Sequence, residues 1–187
     1  MQDRKNQILN LSADLLRSKG FENFSYKDLS DALGIAKASI HHHYPKKADL
    51  ANALCDWSSN WLARAFDAID QEHQNAWDKL VAFHSGALSC ICKENKVCPL
   101  AALHQSLPFF ERETREKIKA LDKQELDWLS KVIAEGQASG EFSERAQAQD
   151  LALLYISSCK GSLYYARLHG AQVFDTTMAQ LALTLKK

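Results

Sequence analysis

Apolar side chains in this chain recur every three to four residues and almost nowhere every second residue. That is the period of helices rather than strands. Ile8, Leu11, Leu15 and Leu16, with Ala13 alongside, mark one face of a first helix predicted from about Arg4 to Lys19, and Gly20 stops it. Ser25 opens a second helix with Asp28 three residues on, a capping-box pattern with Asp in place of Glu. Leu29 and Leu33 point inward, and Gly34 makes a turn. Ile35 and Ile40 anchor a third helix, and Pro45 forces the chain out of it. A long helix is predicted from Lys47 to about Ile69, then a polar break over residues 71–75, then a helix from Trp77 to about Cys92 and a charged loop through Lys96. Pro99, tolerated at a first helical position, starts a short helix that Pro108 interrupts. Glu111 to about Gln137 reads as a long amphipathic helix ended by Gly140. Ser143 is read as the cap of a helix reaching about Leu168, and Asp175 as the cap of a last one ending at Leu185. The pattern predicts an all-α protein of about nine helices.

Composition changes this picture little. A chain of 187 residues with 46% apolar and 25% charged residues has the make-up of an ordinary globular protein with room for a real core. No apolar run approaches the ~20 residues needed to span a bilayer. The first seven residues carry no apolar signal core. A cytoplasmic protein with no membrane partner is therefore expected, and its five cysteines are expected as free thiols.

Charge matters more through its placement than its sum. The net charge is zero, yet residues 1–50 hold eight Lys/Arg against six Asp/Glu, and residues 35–47 hold three lysines, three histidines and no acid. A local cationic strip on a neutral chain suits a site-directed phosphate contact, not a nonspecific DNA coat. The strip falls on two short helices joined by a glycine turn, the spacing of a helix-turn-helix. Such a unit lays its second helix against base edges. The residues expected there are Lys37, Ala38, Ser39, His41, His42 and His43. Tyr44, Lys46 and Lys47 are expected to hold phosphate, and the free N–H groups near Ser25 and Tyr26 to take another. Consecutive helical residues face different ways, so the three histidines do not converge on one metal ion.

The run Gly34-Ile-Ala-Lys-Ala-Ser-Ile-His-His-His-Tyr-Pro-Lys-Lys-Ala-Asp-Leu50 resembles the DNA-binding domain of TetR-type transcriptional repressors, and the likeness extends over about Arg4–Leu54. Two positions depart from the family pattern: His41 stands where tyrosine is usual and Ala36 where serine usually starts the third helix. Loss of that side-chain cap costs ~1 kcal/mol of local helix stability. The resemblance implies a helix-turn-helix DNA-binding domain over residues 1–46 and a helical ligand-binding and dimerisation domain over residues 47–187. It also implies a homodimer on a palindromic double-stranded operator, with the last two helices forming a four-helix bundle across the two-fold axis. Leu151, Leu154, Tyr155, Ser158, Ser162 and Tyr165, with Met178, Leu181 and Leu185, fit that interface at helical spacing.

The carboxy-terminal part carries two further readings. Cys90 and Cys92 sit two apart on a helix and diverge by about 200°, poor spacing for a tetrahedral metal site even with Cys98 nearby. Cys98 precedes Pro99 at a helix start, with Lys93 and Lys96 close, a setting that favours thiolate. Residues 97–103 resemble the cysteine-bearing start of the sixth helix in electrophile- and oxidant-responsive family members. A pocket among the central helices is expected to draw on Trp61, Phe66, Phe83, His84, Leu103, His104, Phe109, Phe110, Trp128 and Tyr164, with the two histidines as polar anchors for a small apolar or aromatic effector. No glycine-rich phosphate loop, Gly-x-Ser-x-Gly or paired-histidine metal motif is present, so neither an enzyme nor a cofactor or metal site is expected. The expectation is a transcriptional regulator, a repressor released by an effector or by cysteine modification; an adaptor whose helix-turn-helix no longer binds DNA is the alternative.

Overall fold

The computed structural model describes residues 4–94 and 96–187, with the side chains of residues 90–94 outside the description. Among these residues the secondary structure is helical, with one isolated bridge between Phe142 and Lys186. The helices are α1 (Arg4–Lys19), α2 (Tyr26–Leu33), α3 (Lys37–His43), α4 (Lys47–Glu72), α5 (Ala76–Glu94), α6 (Pro99–Gln105), α7 (Arg112–Ser139), α8 (Ala148–His169) and α9 (Gln172–Leu185). Single 3₁₀ turns occupy Phe21–Asn23 and Leu107–Phe109.

Local chemistry explains the boundaries. Ser25 and Asp28 form the reciprocal capping box at the start of α2, each side chain bonded to the other's backbone N–H. Gly34 adopts left-handed geometry, φ 62° and ψ 38°, and ends α2 with its N–H on the Ser30 carbonyl. Ala36 precedes α3 with no side-chain cap. Pro99 stands at the first turn of α6, with Cys98 as its cap. The start of α8 differs from the sequence expectation. Gln147, not Ser143, is its N-cap. Phe142 is fully buried, and the Ser143 N–H donates to the Leu185 carbonyl at 2.8 Å, so this segment is held as extended chain against the end of α9. Asp175 lies in the first turn of α9, which begins earlier, at Gln172.

The chain divides into two compact units. The first comprises residues 1–61 and 96–122, the second residues 62–95 and 123–187. In the first, Ile8, Leu16, Leu29, Ile40, Leu50, Leu54, Leu100 and Leu103 are all but sealed from solvent. They join α1, α2, α3 and the start of α4 to α6, so the head is built together with a later stretch of chain. Side-chain bonds reinforce this: the Phe21 N–H donates to Ser106 Oγ at 3.0 Å, and Ser106 Oγ donates to Glu22 at 3.1 Å.

In the second unit the core gathers Leu80, Leu129, Val132, Ile133, Phe142, Tyr155 and Phe174. The Glu141 carboxylate accepts from the Ala76 and Trp77 N–H groups at 3.2 and 3.1 Å, capping α5 from a distant part of the chain. Gly136 permits the closest approach: a Cβ there would stand 2.3 Å from the Phe142 ring and 2.9 Å from Ala76 Cβ. Replacing Gly136 with Ala is expected to lower unfolding free energy by about 2 kcal/mol, overpacking outweighing alanine's better helix propensity. Chemical denaturation checks this; an unchanged or raised midpoint contradicts the packing described.

Candidate nucleic-acid interface

The surface that α3 offers is set by what lies beneath it. Ile40 is fully buried and fixes the inner face of the helix, leaving Lys37, Ala38, His41 and His42 exposed with Ser39 and His43 half-buried beside them. Two polar anchors hold the corner that follows. The Tyr26 hydroxyl reaches back from α2, 2.8 Å from the carbonyl oxygens of both Tyr44 and Lys46. Burial, with the nearby Asp49 charge, pushes that phenol up to about 12, so it stays a donor. The second anchor is Lys47. Its Nζ donates to the Phe21 and Phe24 carbonyls at 2.7 Å each and sits over both rings, 4.6 and 5.1 Å from their centroids. Desolvation pulls its pKa down from the ordinary lysine range.

These placements revise the sequence reading. Tyr26 and Tyr44 are 7% and 2% exposed, so neither ring is on the surface that would meet a duplex. Lys47, expected at a phosphate, instead spends its donors on two carbonyls inside its own unit. At Ser25 both the N–H and the hydroxyl are 2.7 Å from Asp28 Oδ2. A carboxylate therefore already occupies the start of α2, where a phosphate was expected. His41 is exposed, but its ring packs edge-on against Tyr26 at 4.8 Å, and its Nδ1 lies 3.3 Å from the Pro45 carbonyl. Lys37, Ala38, Ser39, His42, His43 and Lys46 remain as an outward strip. Lys46 adds a start for α4, its N–H donating to Asp49 at 2.8 Å.

Comparison with known proteins agrees with this geometry. Residues 8–54 match the model of bacterial regulatory proteins of the tetR family. The whole chain resembles a TetR-family transcriptional regulator from Agrobacterium tumefaciens, 25% identical with a TM-score of 0.91 over 98% of this chain and 97% of that one. These likenesses support a TetR-type regulator. A second TetR regulator, from Legionella pneumophila, is 25% identical with a TM-score of 0.88 over 100% and 99% of the two chains. The HTH-type transcriptional repressor KstR2 of Mycolicibacterium smegmatis is 24% identical over 144 residues, 74% of this chain and 67% of that protein. The matched region and the relatives support a DNA-binding transcriptional regulator.

The residues expected around an effector fall into both compact units of this chain. In the first unit lie Trp61, half-buried, and Leu103 and Phe110, both interior, with Phe110 packed on Phe21 at 4.9 Å. Phe109 is 59% exposed. His104 pairs with Asp122, Nε2 to Oδ1 2.9 Å, and borders a groove of about 420 Å³ beside Leu107 and Ile118. Cys98 caps α6 through its sulfur, which accepts the Ala101 N–H at 3.3 Å. Lys96, expected near that thiol, pairs with Asp14 at 2.5 Å. Cys90, Cys92 and the Lys93 side chain lie outside the described residues. Among the described residues no group of His, Cys, Asp and Glu could hold a metal ion, and no helix is long and apolar enough to cross a membrane.

In the second unit Phe66 stacks on Trp128 at 4.5 Å, and Phe83 leans on Trp128 at 5.8 Å and on Tyr155 at 6.5 Å. Trp128 donates to Asp70 at 3.3 Å, and Lys79 pairs with both Asp70 and Glu135 at 3.0 Å. These rings and ion pairs bind one another into a single aromatic cluster. His84 differs, because it borders a groove between α5 and α9. Tyr164 is 40% exposed on α8.

The α8 and α9 residues assigned to a dimer contact split by face. Leu151, Tyr155, Ser162, Met178, Leu181 and Leu185 are buried in their own subunit at 8% exposure or less, so they have no surface to give a partner. Leu154 and Tyr165 are outward, with Ser158 half-buried. The structure adds Leu153, Leu168 and Leu183, exposed by 55%, 82% and 75%, which periodicity alone did not single out.

The roles of the two lysines separate in a direct test. Lys47→Ala is expected to destabilise the head by about 1–3 kcal/mol, two interior carbonyls losing their donor. Lys37→Ala is expected to leave the melting temperature unchanged and to weaken DNA binding. Thermal denaturation and fluorescence anisotropy on DNA measure both; a melting temperature insensitive to Lys47→Ala contradicts the anchor.

Proposed function

We propose that this chain is a cytoplasmic homodimeric repressor that reads a palindromic operator with α3 and is released by a small-molecule effector. The observation that carries the reading is the outward strip of Lys37, Ala38, His42 and Lys46, acid-free and held at a corner by Tyr26 and Lys47. Lysine at the start of α3 can donate to guanine acceptors, and small Ala38 lets the helix approach bases. Lys37 and Lys46 supply phosphate charge at the two ends of the strip. The similarity to a protein named as a transcriptional repressor, KstR2, supports repression.

The exposed apolar stripe on α8, from Leu154 through Ser158 and Gly161 to Tyr165 and Leu168, with Leu183 of α9, supports a two-fold helical interface. Gly161 is exposed with open space about it, which allows a facing helix close approach. Two copies so joined carry two α3 helices, which suits an operator of two half-sites. Effector coupling of ~1–3 kcal/mol is enough to weaken operator binding roughly 5–150-fold.

DNA flanking the protein's own gene, run in gel shifts over a salt series, tests this. Saturable, site-specific retention is expected, with Lys37→Ala and Lys46→Ala each reducing the slope of log affinity against log salt by about 1. Leu168→Glu with Tyr165→Glu is expected to give monomers in light scattering and to abolish retention. Retention unchanged by the lysine variants, or a monomeric wild type, contradicts the proposal.

Thiol modification is a second route to release. Cys98 is half-buried at the α6 cap, where the Ala101 N–H favours negative charge on sulfur. Wild-type protein is expected to lose operator retention with a quinone or peroxide and to regain it with thiol reductant only where the lesion is a disulfide or sulfenic acid. Cys98→Ser is expected to stay bound; full release of that variant contradicts the route.

A further inference from the structure

The groove between α5 and α9 measures about 250 Å³ and is walled by Trp77, Val81, Phe174, Met178 and Ala182, with the polar groups His84, Ser85 and Asp175 among them. Its polarity is decided by a chain of hydrogen bonds behind it. The Tyr155 hydroxyl donates its one proton to the Leu80 carbonyl at 2.8 Å. At 2.7 Å from His84 Nδ1 the same oxygen can then only accept, so Nδ1 carries the imidazole proton. Nε2 is left as a bare acceptor on a ring that borders the groove. Desolvation lowers the His84 pKa to about 4, so the ring remains an acceptor at neutral pH. Asp175, one helical turn before Ala179 on the same face of α9, offers a carboxylate as a second acceptor. Lys186 lies over the Trp77 ring at 4.0 Å, at the end of α9 away from Asp175.

We infer that this groove binds a small hydrophobic amine, its ammonium donating to His84 Nε2 and Asp175 and its apolar frame lying along Val81, Phe174 and Ala182. A carboxylate on the same frame meets a bare imidazole nitrogen and a like charge, so the site selects against it. An alcohol keeps the donor and loses the ion pair. The volume is below that of drug-sized ligand sites, which restricts the frame to about one ring. The site deepens the effector reading, on which its regulatory role rests. Phe174 and Met178 of α9 border the groove, while Leu183 of the same helix is outward in the stripe assigned to the partner, so a ligand that moves α9 alters the interface.

The test uses the full-length protein and three probes of one shape: 2-phenylethylamine, 2-phenylethanol and phenylacetate, titrated by calorimetry. The amine is expected to bind saturably with Kd below about 1 mM, the alcohol at least tenfold more weakly, and phenylacetate not at all. Asp175→Asn, at an exposed position, is expected to bring the amine down to the affinity of the alcohol, and Ala182→Leu, which fills the groove, to abolish both. His84→Phe is expected to lose amine binding too, but it also strips Tyr155 of a partner, so Asp175→Asn and Ala182→Leu are the deciding variants. No saturable amine binding, phenylacetate binding as well as the amine, or amine affinity unchanged in Asp175→Asn and Ala182→Leu overturns the site. Operator retention is read separately. Amine bound with the operator still held overturns the regulatory role of the groove alone. Release by another compound that Ala182→Leu does not block overturns that role while leaving effector release itself intact.

Discussion

A half-buried ammonium organises the head of this protein. Lys47 Nζ, held by the Phe21 and Phe24 carbonyls between two aromatic rings, ties the first residue of α4 to the turn between α1 and α2. The Tyr26 hydroxyl fastens the same corner from the other side through Tyr44 and Lys46. With the chain fixed before and after it, α3 has one buried side chain, Ile40, to set its rotation. Lys37, Ala38 and His42 are thereby left facing outward. Taking a cation out of water is costly, and here the cost is offset by two short charge-assisted bonds and two ring faces.

How much of this the sequence carried depends on whether a signal is local. The Ser25 capping box, the Gly34 turn and the Pro99 helix start involve residues within a few positions of each other, and the structure has each as read. Lys47 is the opposite case. Nothing in a run of lysines says which ammonium will find carbonyls more than twenty residues upstream, so a cation that looked like a phosphate contact proved to be an internal clamp. Tyr44 carries both readings in sequence, aromatic bulk of the three-helix unit and phosphate contact, and its burial fits the first.

The carboxy-terminal helices show a second limit. On α8 both faces are apolar: Leu151, Tyr155 and Leu163 turn inward, while Leu154, Tyr165 and Leu168 turn outward. A 3.6-residue period finds such stripes without telling which one the subunit keeps for itself. Ser143 failed as a cap for a related reason. Its neighbour Phe142 is a core residue, and burying it against Gly136 demands an extended segment, whatever the capping propensity of serine. The same tertiary context fixed the His84 tautomer through Tyr155 and Leu80, a property no spacing encodes.

Lysine side-chain NMR tests the central claim most directly, because an ammonium held in hydrogen bonds exchanges its protons slowly enough to be seen. In free protein the Lys47 Nζ resonance is expected to be resolved and to stay in place when an operator duplex is added, while those of Lys37 and Lys46 appear or shift only with DNA. A Lys47 signal that emerges solely in the complex, with Lys37 unaffected, would contradict the internal clamp and the outward strip together.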